Sequence, residues 1–373
     1  MFINYKKYIK LKNNIKRSYT IYSIKEMNTI FFLLASIFAL CNASSTLRSR
    51  EFGVFIDSND EWDQFSNFQE KYRKKYETLE EIEIRFQIFR FNLRNIILHN
   101  LNGNKNFTMG INQFTDLTPE EFKTFYASGY DTFKSFGCTH FVPSTTTSSL
   151  PSSIDWTTKG VVNSIRDQGK CGSCWAFATT ANAESVWAIH SSKLLDLSEE
   201  YLVDCASGFG YFNMGCNGGN PDSAFKYMIN NGQCTDASYP YTSGSGSSSS
   251  TCQKCSSADV KFSGCYDVTS NDQLALKHAV AVQPVVIAIE ADTRYFQSYS
   301  SGILTDAVKC GTNLDHAVEI VGYGSENGID YWNVRNSWGT SWGESGYVRI
   351  QRSSSTNDAG VCGVAVEPSF ISV

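Results

Sequence analysis

Residues 168–177 read Gln-Gly-Lys-Cys-Gly-Ser-Cys-Trp-Ala-Phe and place a thiol, Cys174, where a helix is predicted to begin. Ser173 suits the N-cap position, and a mostly apolar stretch follows it. The positive end of a helix dipole favours the thiolate, which is the nucleophilic form of cysteine. The run therefore predicts a reactive sulfur.

A nucleophilic thiol also needs a base, a group that orients the base, and donors for an oxyanion. His316 opens an apolar strand within 314–324, and Asn336 follows a second predicted strand. Gln168 precedes the thiol by six residues, with glycines between them. We expect His316 to be the base and Asn336 to orient it. The Gln168 side-chain N–H and the Cys174 backbone N–H would hold the oxyanion.

Further segments with recognisable residue types accompany these groups along the C-terminal part of the chain. They are 155–156, 168–177, 215–219, 315–317, 336–344 and 361–363. Together they resemble the papain family of cysteine proteases, with the organisation of the L-like cathepsins, whose signature includes the Cys-Gly-Ser-Cys-Trp run. The resemblance covers 150–373. It implies an α+β, two-lobed papain-like fold, with a helical left lobe, a β-barrel-like right lobe and the site in the cleft between them.

Residues 52–100 carry aromatic and aliphatic side chains at steps of three and four, which predicts a pair of amphipathic helices. A plain helix pair with a charged outer face would give the same spacing. The residue types also resemble the Glu-Arg-Phe-Asn-Ile-Asn motif of L-like propeptides, and 110–116 resembles the accompanying Gly-Asn-Phe-Asp motif. The resemblance implies a small α-helical inhibitory prodomain over 52–149, whose tail at 134–150 crosses and blocks the cleft. The peptidase domain would span 150–373, beginning near Leu150.

The first 44 residues carry seven Lys/Arg against one Asp/Glu, and 27–43 is a short apolar run that ends in small residues. This pattern predicts a cleaved secretory signal that is too short for a stable membrane span. Translation could start at Met27 rather than Met1, or the segment could anchor the proenzyme. The predicted destination is the lysosome, a vacuole or the extracellular space. Residues 150–373 carry 13 Lys/Arg against 22 Asp/Glu, so we expect no binding of nucleic acid.

Secretion makes most of the twelve cysteines candidates for disulfides. With Cys174 set aside, the resemblance implies three pairs, which are Cys171–Cys216, Cys205–Cys252 and Cys310–Cys362. Three cysteines of 150–373 then remain, so one of them is expected to stay unpaired. Cys234 is expected to pair with Cys255 or with Cys265, and Cys252 and Cys255 could exchange roles. Cys138, in the pro-region, is a second odd thiol.

Two alternatives compete with a nucleophilic Cys174. Cys171 and Cys174 form a Cys-x-x-Cys run that would be a redox pair in a thioredoxin-like setting, or Cys174 could join a structural disulfide. A zinc site at Cys252, Cys255 and Cys265 is a further alternative, although no histidine accompanies them. We favour the nucleophile and the disulfides, and we expect no metal and no cofactor. As functions, a catalytically inactive papain-like binding protein and a thiol-disulfide oxidoreductase remain alternatives.

The resemblance places main-chain recognition of an extended substrate at Gly218 and Gly219. Asp315 and Trp338, which flank the base, are also expected to bind substrate, and the Trp338 indole is expected to shield the bond between His316 and Asn336. Glu367, at the floor of the pocket for the second residue before the cut, would let that pocket accept Arg as well as apolar side chains. The other expected pocket residues are Asn220, Pro221, Ala288 and Leu314.

The sequence contains no insertion that suggests an exopeptidase, so we expect a monomeric endopeptidase that acts on peptide and protein substrates. We expect it to act through an ion pair between the Cys174 thiolate and the His316 imidazolium. Its own propeptide would be its inhibitor. Asn106-Phe-Thr, in the pro-region, matches the acceptor pattern for N-glycosylation, and its use is left open.

Overall fold

The computed structural model describes residues 58–103, 106–132, 137–143, 150–207, 210–247, 251–253, 255, 260–305 and 310–373. The chain divides into two units, Met1–Asp63 and Gln64–Val373, and the second contains every site discussed below. The predicted secretory signal at 27–43 and the two alternative start residues lie outside the described part. Within the described part, no helix has both the length and the apolar content that a bilayer crossing requires.

The pro-region contains the predicted pair of helices, α1 (Ser58–Lys71) and α2 (Leu79–Leu101), and a short third helix, α3 (Pro119–Tyr126). Two asparagines of the propeptide-like motif bind α2 to the segment that follows it. The Asn92 amide donates to the carbonyls of Thr115 and Leu117, each at 2.9 Å, and the Asn100 amide donates to the carbonyl of Met109 at 2.8 Å. The motif therefore fixes the extended chain after α2.

The helical lobe is built on α4 (Cys174–Ser191), which packs against α5 (Glu199–Cys205) and α6 (Pro221–Asn231). Every residue from the start of α4 to Val186 is buried, and the buried residues include polar ones such as Asn182 and Glu184. Ser173 occupies the N-cap position as predicted, but its side chain makes no capping bond. Its hydroxyl lies 2.9 Å from that of Tyr241 instead.

The second lobe is a ten-stranded sheet, accompanied by helices α7 (Gln273–Val280) and α8 (Arg294–Gln297). The strands are β1 (Phe107–Met109), β2 (Thr139–His140), β3 (Ile154–Asp155), β4 (Gly264–Asp267), β5 (Val285–Ile289), β6 (Tyr299–Leu304), β7 (His316–Glu326), β8 (Ile329–Arg335), β9 (Tyr347–Gln351) and β10 (Ser369–Ser372). Their order across the sheet is β1-β6-β9-β8-β7-β5-β10-β4-β2, and β3 pairs with β7.

The expected barrel-like closure does not occur among the described strands. Closure would require the two ends of the sheet to pair, and each end is occupied by a short strand of the pro-region, β1 beside β6 and β2 beside β4. The core of this lobe contains Trp332, Trp338 and Trp342, all fully buried. The fold is thus the expected α+β architecture with an open sheet.

Five disulfides join the described cysteines, and they include the three pairs that the resemblance implied. They are Cys171–Cys216, Cys205–Cys252, Cys310–Cys362, Cys234–Cys255 and Cys138–Cys265. The expectation of two odd thiols is wrong, because strand β2 lies beside β4 and brings Cys138 to Cys265. Cys171 is used by Cys216, which excludes the redox pair, and the three proposed zinc ligands sit in three different disulfides.

Candidate active site

Cys174 is the first residue of α4 and the only free cysteine among the described residues. Its sulfur is fully buried and accepts a hydrogen bond from the backbone N–H of Ala317 at 3.4 Å. Ala317 is the second residue of β7 and follows His316 directly. The packing of α4 against β7 therefore brings the thiol and the imidazole, 142 positions apart in the chain, to the same place.

His316 begins β7, and Asn336 follows the last residue of β8. The two strands are antiparallel neighbours, so the start of one lies beside the end of the other. The His316 Nε2 atom donates to Asn336 Oδ1 at 2.8 Å, and the Trp338 indole stacks on the imidazole with ring centroids 4.6 Å apart. Because Nε2 carries the hydrogen, Nδ1 of the neutral ring is the acceptor, and it has no partner among the described residues.

Gln168 lies between Cys171, in the loop before Cys174, and Ser337, which follows Asn336. Its Nε2 donates to the carbonyl of Cys171 at 3.0 Å, and its Oε1 accepts from the Ser337 hydroxyl at 2.6 Å. An amide has two N–H bonds, and the contact with Cys171 uses one of them. Sequence reasoning did not assign Ser337 a role, although its position beside Asn336 was the available signal.

The sulfur and the imidazole are both shielded from water in this structure. Burial raises the pKa of the Cys174 thiol to about 12, although the N–H groups of Ala317, Trp175 and Cys174 itself oppose the shift. Burial lowers the pKa of His316 to about 4, opposed by its hydrogen bond with Asn336. Both shifts favour the uncharged forms of the thiol and the imidazole while the pro-region covers the site.

The pro-region covers the site with Gly129, Tyr130 and Asp131, which run parallel to Gly219. The Gly219 N–H donates to the Gly129 carbonyl at 3.1 Å, and the Asp131 N–H donates to the Gly219 carbonyl at 2.9 Å. A Cβ on Gly129 would lie 2.8 Å from the Cys174 sulfur, so the backbone passes directly over the thiol. The blocking residues therefore precede the tail that was expected at 134–150.

Three of the expected substrate-binding residues lie along this strand or at the start of α6. Gly218 has φ of 114°, a conformation that favours glycine, and turns the chain before Gly219. Asn220 caps α6 through the N–H of Asp222, and its Nδ2 donates to the Asp131 carbonyl at 2.9 Å. Pro221 is the first residue of that helix. Asn220 is thus fixed by the helix cap and by its contact with the pro-region.

The side chain of Tyr130 reaches Glu367, the residue expected at the floor of the pocket. Its hydroxyl donates to the Glu367 carboxylate, and its backbone N–H donates to the Asp315 carbonyl at 3.1 Å. The Asp315 side chain faces elsewhere and accepts from the Ala291 N–H at 2.8 Å, and burial raises its pKa to about 8. Ala288 on β5 lies opposite Ala317 in the sheet register.

Leu314, the remaining expected pocket residue, is half-buried and contacts the segment around Gly363. One group of potential metal ligands occurs in the described part, Cys138 with Asp222 and Asp267. Its sulfur is already used in a disulfide, so the group is not a thiolate site.

Comparison with known proteins identifies the family to which most of the chain is similar. The papain family cysteine protease domain matches residues 150–372, and the cathepsin propeptide inhibitor domain (I29) matches 65–122. Germination-specific cysteine protease 1 of Arabidopsis thaliana is 46% identical over 295 residues, which cover 77% of this chain and 76% of that protein.

Solved proenzyme structures have the same fold. The digestive procathepsin L 3 of the Tenebrio molitor larval midgut superposes with a TM-score of 0.75 at 36% identity, covering 84% of this chain and 99% of that one. A recombinant stem bromelain precursor gives a TM-score of 0.75 at 36% identity, with coverage of 84% and 99%. The chain therefore belongs to the papain family of cysteine proteases and is a proenzyme that carries its own propeptide inhibitor domain.

Proposed function

We propose that the chain is the zymogen of a cysteine endopeptidase in which Cys174 is the nucleophile and His316 the general acid and base. Asn336 orients the imidazole, and the Gln168 amide with the Cys174 backbone N–H stabilises the oxyanion. The observation that carries the proposal is the contact of the Cys174 sulfur with the N–H that follows His316, beneath a strand of the pro-region.

Removal of residues 129–131 would change the charge of the site. Burial is the largest cause of both pKa shifts, so the return of water lowers the pKa of the thiol and raises that of the imidazole. The proton then moves from the sulfur to Nδ1 of His316, the ring nitrogen with no hydrogen-bond partner among the described residues. The first N–H groups of α4 stabilise the resulting thiolate. Papain-type pairs have thiol pKa values of about 3–4, which suits an acidic compartment.

The thiolate attacks the scissile carbonyl carbon, and the carbonyl oxygen takes the negative charge between the two oxyanion donors. The His316 imidazolium gives its proton to the leaving amine, and a thioester to Cys174 remains. The neutral imidazole then takes a proton from water, and the hydroxide displaces the thiolate to release the acid. Trp338, stacked on His316, keeps water from its hydrogen bond with Asn336.

The propeptide strand indicates how a substrate would lie. Gly219 offers both its N–H and its carbonyl to an extended chain, and the Tyr130 hydroxyl donates to Glu367, the proposed floor of the pocket. We infer that this pocket accepts apolar and aromatic side chains and also Arg, whose charge the Glu367 carboxylate would pair. The five disulfides fit a secretory route, and we propose a lysosomal, vacuolar or extracellular monomer.

The test is labelling of the purified zymogen by an epoxide-type peptide inhibitor at mildly acidic pH with a thiol reductant. We expect loss of the propeptide and one label, on Cys174, with no label on the Cys174→Ala variant. Wild-type protein that takes no label and cleaves no peptide would instead be the inactive binding protein.

A further inference from the structure

One disulfide crosses the boundary between the pro-region and the peptidase. Cys138 lies before residue 150, where the match to the peptidase family begins, and Cys265 lies on β4 inside it. The pro-region also joins the sheet at this point. Thr139 and His140 pair with β4, and the Phe141 N–H donates to the Asp267 carbonyl at 2.8 Å. The bridge therefore belongs to an ordered contact between the two parts.

The position of the bridge decides what a cut produces. Any cleavage after Cys138 and before Leu150 separates the backbone into two chains that the disulfide still joins. Gly129, the residue over the Cys174 sulfur, precedes Cys138 by nine positions. A segment tethered by so short a length is held near its site at a local concentration on the order of millimolar. Residues 129–131 can then rebind over the Cys174 sulfur after the cut.

We propose that activation of this zymogen requires two covalent events, cleavage of the propeptide and reduction of the Cys138–Cys265 disulfide by a small thiol or dithiol. The proposal rests on the proposed function, because the strand that stays tethered is the one that covers the expected nucleophile. Without reduction, the cut protein stays inhibited by its own linked propeptide.

The two sulfurs differ in access, which gives the exchange a direction. Cys265 is 2% exposed, whereas Cys138 is half-buried. The thiolate of the reductant attacks the Cys138 sulfur and forms a mixed disulfide, and the Cys265 sulfur leaves as a thiolate and takes up a proton. A second thiol then displaces Cys138 from the mixed disulfide. Two reductant thiols are oxidised to one disulfide, and the two protein sulfurs become thiols.

The first experiment asks whether the cut chains stay joined. Wild-type zymogen is processed at mildly acidic pH without thiol, by itself or by an added protease, and run on denaturing gels with and without reductant. The Cys138→Ser/Cys265→Ser double variant is the matched control. We expect the wild-type pieces to move as one species until reductant is added, and those of the variant to separate in both lanes. Separate wild-type pieces without reductant would overturn the proposal.

The second experiment measures how fast a biotinylated epoxide inhibitor labels Cys174 in the processed protein, before and after treatment with dithiothreitol that is then removed. We expect reduction to raise the wild-type rate by roughly tenfold or more and to leave the double variant unchanged. Labelling of the untreated variant would show that Cys174 itself needs no reduction. Equal wild-type rates before and after treatment would contradict the proposal.

The single Cys138→Ser variant, at the more exposed position, repeats both measurements if the double variant does not fold. Failure of the proposed function gives a different result, because no protein would then be labelled at Cys174 even after reduction. The gel would still show whether the bridge joins the two chains.

Discussion

Gly129→Ala is the substitution that most directly tests how the pro-region closes the site. An alanine Cβ would lie 2.6 Å from the Gly172 carbonyl oxygen and 2.8 Å from the Cys174 sulfur. Comfortable carbon contacts need about 3.5–4.0 Å, so the strand must move away by about 1 Å. That movement stretches the hydrogen bonds between Gly219 and its partners, Gly129 and Asp131, which are 3.1 Å and 2.9 Å long.

The expected magnitude follows from the cost of overpacking. Forcing one extra methyl group into a close-packed contact costs about 1–3 kcal/mol. This energy corresponds to a rise of about fivefold to 150-fold in the population of molecules with the strand lifted from the thiol. If a small reagent reacts only with the lifted state, its rate of reaction with Cys174 rises by the same factor.

The assay is alkylation of Cys174 in the intact zymogen at neutral pH, followed by mass spectrometry of the full-length chain. Gly103→Ala is the matched control, because a Cβ there meets nothing within 4 Å. We expect alkylation of the Gly129→Ala protein to be faster than that of wild type and of the control. An alkylation rate for Gly129→Ala equal to that of Gly103→Ala would refute the idea that the backbone of Gly129 keeps reagents from the Cys174 sulfur.

Three further predictions concern the base, the pocket and the buried carboxyls. Asn336→Ala removes a 2.8 Å hydrogen bond to His316. We expect kcat/KM to fall about 10- to 150-fold and the basic limb of its pH profile to move to lower pH. A basic limb at unchanged pH would contradict the orienting role of Asn336. Glu367→Ala should lower cleavage of Arg peptides relative to Leu peptides, and an unchanged ratio would remove Glu367 from the pocket. Burial raises the pKa of Glu184, Glu199 and Glu319, so the stability that they contribute is complete below about pH 4.3 and is lost as pH rises toward about 7 for Glu319. The melting temperature of a Cys174→Ala zymogen should fall from pH 5 to 7 and fall less in a Glu319→Gln derivative, whereas equal slopes would show that this carboxyl does not ionise in that range. The lowered pKa of His316 makes the folded state more stable as pH rises over the same range. We expect the three carboxyls together to outweigh this single imidazole.

Much of the site could be predicted because its parts are encoded locally. Cys174 begins a helix in the structure as the apolar run after Ser173 indicated, and His316 and Asn336 stand at the start and after the end of two strands that the sequence pattern predicted. Antiparallel pairing of those strands is enough to bring the two side chains together. The asparagines of the propeptide motif likewise hold α2 against the segment that follows it.

The remaining features depend on contacts between distant segments, which one sequence does not display. Cys138 looked unpaired because its partner lies 127 positions away, beside a two-residue strand with no pattern of its own. The position of Gly129 over the thiol depends on where α3 ends, at Tyr126, and on the direction that the chain takes after it. Burial raises the pKa of the thiol and lowers that of the imidazole, whereas the sequence-based expectation of an ion pair considered only the attraction between the two groups.

The two end strands of the sheet have a consequence for how the enzyme is made. Both β1 and β2 belong to the pro-region, so the free peptidase would expose unpaired main-chain amides along β6 and β4. Such unpaired sheet edges are templates for aggregation between copies of the chain. Since the pro-region is synthesised first, we expect it to cover these edges while the sheet folds, and peptidase refolded without it should precipitate more readily than the whole chain.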